Sequence, residues 1–101
     1  MYALAIRPEL DRKLRKLSKR DRKRYEIIMK KAGEILLGPH HYKNLRALLQ
    51  NLKRVHIDVH FVLTFSVDEK TKTVMLEDFD HHDYIYRHYA QLKNSKAKIF
   101  K

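Results

Sequence analysis

At 101 residues, with 44% hydrophobic and 35% charged side chains, the chain is long enough for one modest core and too apolar for a disordered tail. It has no cysteine, which excludes disulfides and thiolate metal sites, and no apolar run near the roughly 20 residues of a membrane span. The formal net charge of +11 is lopsided: residues 1–53 carry 15 Lys/Arg against 5 Asp/Glu, and residues 54–101 carry 8 against 7. Such a first half is built to hold a polyanion, the alternative being a basic helix surface kept for solubility. The opening MYALAIRPEL has only about five apolar residues before Arg7 and Pro8, too few for a signal peptide, so a cytoplasmic protein is expected.

Tyr2, Leu4 and Ile6 alternate with Ala3, Ala5 and Arg7, a short strand ended by Pro8. Pro8 suits the first turn of a helix, and Leu10, Leu14 and Leu17 then fall on one face. Ser18 is the expected N-cap of a second helix, with Asp21 three residues on favouring its positive end. Tyr25, Ile28, Met29, Ala32, Ile35 and Leu36 make that helix's apolar stripe, and Gly38-Pro39 stops it. Residues 40–53 read as a loop or short helix feeding a strand. From Arg54 the pattern alternates strictly: Val55, Ile57, Val59, Phe61, Leu63, Phe65 and Val67 on one side, Arg54, His56, Asp58 and His60 on the other. The alternation passes through Asp58-Val59 unbroken, as in one long bent strand. DEKTK (68–72) is a polar turn, TVMLEDF (73–79) a further strand, and 83–91 a closing helix. The order β-α-α-β-β-β-α predicts an α+β domain over residues 1–92. A mostly antiparallel sheet carries the N-terminal helical hairpin on one face and Arg54, His56 and His60 on the other. Residues 93–101 form a basic tail.

All seven histidines lie between residues 40 and 88. Imidazole is the side chain best suited to moving protons near neutral pH. Cutting RNA without a metal needs a base for the ribose 2′-OH, an acid for the leaving 5′-oxygen and cations for the phosphate. His56, His60, His81, His82, Arg54, Lys43, Arg46, Arg87, Tyr84 and Tyr86 supply every type. Two other readings of the histidines compete. One is a metal site built from His56 and His60 with Asp80, His81, His82 or Asp83; no HExxH or comparable spacing supports it, so no metal or other cofactor is expected. The other is structural, with His81 and His82 pairing with Asp78, Asp80 or Asp83 at a strand end. Tyr84 and Tyr86 suit either base stacking or anchoring of the last helix, and Phe61, Phe65 and Phe79 suit the core.

The strand, basic helical hairpin, YKNLRALLQNLKRVHI, three-strand run and DFDHHDYIY, in that order, resemble the RelE/ParE superfamily of type II toxins over Tyr2 to about residue 89. The block RVHIDVHFVLTF with its His-x-x-x-aromatic ending is most similar to the YafQ-like, histidine-using branch. There a His opens the central strand pair, an Asp follows four residues on, and a later His precedes an aromatic by four. His56, His82 and Tyr86 match, while His60 stands where the branch has Asp. Lys43 lies near the basic position that precedes the central strand. Arg54 with Tyr86 also fits the RelE branch, which relies on Arg, Lys and a near-terminal Tyr. The resemblance implies a tight turn near Asp58-Val59, cleavage of mRNA in the ribosomal A site by 2′-OH attack, and a cognate antitoxin as partner. It implies His56, His60, His82, Arg54 and Tyr86 as the catalytic set, with Lys43, Arg46, Lys19, Arg20, Lys23 and Arg87 holding RNA. A gyrase-binding toxin of ParE type and a non-catalytic RNA- or ribosome-binding domain are the alternatives.

Overall fold

The computed structural model describes residues 1–45 and 51–88. The expected tail and Arg46 lie outside these residues. Strand β1 (Ala3–Ile6) leads into helices α1 (Pro8–Arg20) and α2 (Arg22–Leu37), then a 3-10 turn (Pro39–His41). Strands β2 (Lys53–His56), β3 (Phe61–Asp68) and β4 (Thr73–His81) follow, and residues 82–88 are helical. The sheet order is β1-β4-β3-β2, parallel only where β1 meets β4. This is the expected α+β architecture.

The helical hairpin follows its apolar spacing. Leu10 and Leu14 of α1 and Ile28, Ala32 and Ile35 of α2 are buried against Leu63, Phe65, Val74, Leu76 and Phe79 of the sheet. Ser18 does not cap α2. Its hydroxyl donates to the Arg15 carbonyl at 2.7 Å and α1 runs on past it. Asp21 is the cap, its extended backbone breaking the helix and its carboxylate accepting from the Arg24 N–H at 3.1 Å.

The second departure is at residues 57–60, where the alternating run is cut in two. Asp58 Oδ1 accepts from the backbone N–H of His60 at 2.8 Å and of Phe61 at 3.1 Å, which reverses the chain with no Gly, Asn or Pro. Val59, placed by alternation on the buried side, is 80% exposed at this turn. The β3–β4 turn uses the same device: Asp68 Oδ1 accepts from Lys70 and Thr71. The third is in β4. Thr64 pairs with Asp78 but Phe65 pairs with Leu76, so Glu77 is an extra, bulged residue. Its carboxylate meets Arg7 and accepts from the Ser66 hydroxyl at 2.6 Å.

Beyond Leu76, β4 continues without β1 beside it. Lys13 of α1 reaches across this open edge to the Phe79 carbonyl at 2.8 Å and to the Asp78 and Asp80 carboxylates at 2.9 and 3.0 Å. Burial opposes charge on this ammonium, but the two carboxylates outweigh it and hold its pKa above the usual lysine value. On the sheet's other face Leu45, Val62 and Ile85 form a small second cluster, with Leu52 and Tyr86 packed against it.

Candidate active site

Strand register explains why distant histidines meet. Phe61 pairs with His81, and the ladder extends one step further through the His82 N–H, which donates to the His60 carbonyl at 2.8 Å. His60 and His82 are therefore cross-strand neighbours, two residues beyond the Val62–Asp80 pair. His56 is opposite Val62, at the end of the β2–β3 ladder that precedes the turn carrying His60. Arg54, opposite Thr64, is two residues earlier in β2 and on the same face of it.

The His60 and His82 rings stack with centroids 6.4 Å apart at 21°. His81 joins them, 5.7 Å from His60 and 4.6 Å from His82. His82 Nδ1 lies 3.0 Å from the Asp83 carboxylate, which fixes the ring and leaves Nε2 pointing elsewhere. His81 Nδ1 accepts from the Asp83 N–H at 3.2 Å, so the structural reading of His81 has a real partner, although the ring still belongs to the trio. Beneath it, Phe61 stacks on Phe79 at 5.4 Å and meets the His81 ring edge-on at 5.8 Å. Asp58 fixes His60 from below. Its pKa is lowered, first by the His60 N–H it accepts, with Phe61 N–H and the Arg24 guanidinium adding to the effect against burial.

Arg54 is half-buried, and its Nε is a buried donor with no hydrogen-bond partner among the described residues. Leaving a buried guanidinium N–H unsatisfied is costly. Its backbone N–H donates to the Lys43 carbonyl at 3.0 Å, which seats the exposed Lys43 next to it. Tyr86 packs against the Leu45–Val62–Ile85 cluster on the same face, while Tyr84 is 49% exposed and stacks on His88.

The proposed RNA-holding residues divide. Lys19, Arg20 and Lys23 are exposed around the α1–α2 junction and Arg87 is exposed on the C-terminal helical segment. Three further basic residues belong with them, Lys13, Lys16 and Arg24. With Arg20, Leu17, Phe61, Phe79 and Asp80 they line a hollow of about 210 Å³ between the helices and the site. Arg24 lies 4.3 Å over the Phe61 ring and 3.3 Å from the Asp58 carboxylate. The spacing 13, 16, 20 puts three of these cations on one face of α1. Asp83 is the partner that the structural reading of His81 and His82 offered, and Asp58 acts on His60 from two residues away.

No family model matches the sequence. A Methanocaldococcus jannaschii protein named "Putative toxin RelE4" is 55% identical over 101 residues, covering 100% of this chain and 99% of its own. A Methanosarcina mazei protein is 62% identical over 86 residues, 85% of this chain and 100% of its own. Among solved structures, the toxin fold of the intact Escherichia coli RelBE toxin-antitoxin complex superposes with a TM-score of 0.66 at 20% identity, covering 80% of this chain and 96% of that one. With full-length identity to a RelE-named relative and the same strand and helix plan, the chain belongs to the RelE-like family of type II toxins.

Proposed function

We propose that this toxin is a ribosome-dependent mRNA endonuclease whose acid and base are imidazoles. The observation that carries the reading is the cross-strand pairing of His60 with His82, which sets two imidazoles side by side on the sheet face that also holds His56 and Arg54. Proton removal and proton delivery at one phosphodiester need two such groups within reach of the same phosphorus.

In this reading one imidazole, His60 or His56, takes the ribose 2′-OH proton. The 2′-oxygen attacks phosphorus, the bond to the 5′-oxygen breaks, and protonated His82 supplies the proton that the leaving oxygen takes. The products are a 2′,3′-cyclic phosphate and a 5′-hydroxyl. Arg54 and Lys43 neutralise the phosphate, and Tyr86 orients the substrate. Lys19, Arg20, Lys23 and Arg87, with Arg46, hold ribosomal RNA or message. The setting is cytoplasmic, and a cognate antitoxin keeps the toxin inactive.

The test is a translation extract read by primer extension. Codon-phased cuts are expected, falling by about 100-fold or more in His82→Ala and in His60→Ala. Full cutting by His82→Ala sinks the assignment, as does an absence of cuts. Supercoiling inhibition without cuts would instead mark a gyrase-binding toxin.

A further inference from the structure

His60, His81 and His82 each offer a ring nitrogen, and these atoms lie within 4.8 Å of one another. A zinc ion held by three imidazoles at 2.0–2.1 Å places its nitrogens about 3.3 Å apart. Closing the difference takes movements on the order of 1 Å, within what rotation about the side-chain torsions of surface rings supplies. His60 is exposed and His81 and His82 are half-buried, so the cluster is open to solvent on one side. Their backbones are not free: the His82 N–H is bonded to the His60 carbonyl, and Asp58 holds the His60 N–H. The anchors are fixed and only the rings need adjust.

Two further features favour a cation. The Asp83 carboxylate, 3.0 Å from His82 Nδ1, forms the carboxylate–histidine pairing that orients a metal-bound imidazole through its second nitrogen. The Asp58 carboxylate, anchored beneath His60, adds negative charge beside the cluster in a chain that is otherwise strongly basic. Three neutral nitrogen donors suit late first-row divalent ions rather than Mg2+ or Ca2+, which prefer oxygen. We infer that His60, His81 and His82 form a binding site for one zinc-class ion per chain, with a fourth position left open to water. An ion there takes the lone pairs of His60 and His82. On the catalytic reading above, on which this last step rests, the zinc-loaded protein is the inactive one.

The experiment titrates Zn2+ into chelator-treated full-length protein by calorimetry, with thermal melting of each variant in chelator to confirm folding. One ion per chain is expected, with affinity weakened at least about tenfold in His60→Ala and in His81→Ala and unchanged in His40→Ala. An absence of binding at millimolar Zn2+, or equal affinity in all variants, overturns the site. Primer extension on the same samples then separates the two ideas. Cutting lost on zinc loading and restored by EDTA supports the inactive loaded form, and cutting that persists when loaded overturns it. Zinc binding without cutting in either state leaves the metal site standing and removes the nuclease assignment.

Discussion

Asp58 is the residue on which the geometry of His60 rests. One carboxylate oxygen accepts two backbone N–H groups at 2.8 and 3.1 Å, and the other meets Arg24 at 3.3 Å. Asp58→Ala is expected to lower stability by about 1 kcal/mol, since the group is exposed and solvent screens it, while reducing cleavage more than the fold. Asp58→Asn keeps the accepting oxygen and should retain most of both, as urea unfolding and primer extension on the two variants would show. Because the Asp58 carboxyl titrates below its usual value, its contribution is present above the ordinary aspartate range and is lost as pH falls through the lowered pKa. At this scale the sequence disclosed the actors but not all of their partners. His60 and His82 were legible as candidates for proton transfer from composition and spacing. The pairing of His82 with Asp83 was legible too, while the meeting of His60 with His82 was not, because it follows from register, and register is a property of paired strands.

The elements were legible where a single period governs them. Leucines at 10 and 14 and the stripe from Ile28 to Ile35 marked α1 and α2, and burial agrees residue by residue. Periodicity misled where a side chain overrides it: the β2–β3 turn leaves apolar-polar alternation intact because Asp58 bends the backbone through its own carboxylate. Ser18 was a plausible cap that lost to Asp21, whose charge also suits the helix start. A feature with no sequence signature ties three elements together. Glu69, in the β3–β4 turn, bonds Lys72 at 2.7 Å, the Tyr2 hydroxyl at 2.8 Å and the His40 ring. Lys72, Tyr2 and His40 together hold the Glu69 pKa down to about 2. A depressed carboxylate stabilises the fold above its unfolded value, so this link is intact above about pH 4.5 and is lost as pH falls through about 2. Carboxyl NMR titration should show that low midpoint, rising toward the ordinary value in Lys72→Ala. A wild-type midpoint near 4.5 would mean the network does not form in solution.

At the scale of the molecule, the helix cations come within reach of the histidine trio where Phe61 and Phe79 close the sheet. Cations of α1 and α2 lead through the hollow lined by Lys16, Arg20 and Arg24 to the Phe61 ring and the histidines beside it. Binding of a single-stranded RNA, followed by fluorescence anisotropy, should weaken steeply between about 50 and 200 mM salt. The double variant Lys16→Ala, Arg20→Ala should lower the log–log slope by about two if both contact phosphate. An unchanged slope would place the RNA elsewhere. The bulge at Glu77 has a consequence for comparing this chain with its relatives. Ahead of it Val74 and Leu76 face the helices; after it the odd-numbered Phe79 does, and the edge-on contact of His81 with Phe61 follows from the same step. The strand runs like a rack with one added tooth, so teeth on either side of Glu77 are out of step. Any alignment that opens or closes a gap within residues 73–81 exchanges His81 for His82, and with it which imidazole is matched to a relative's catalytic position.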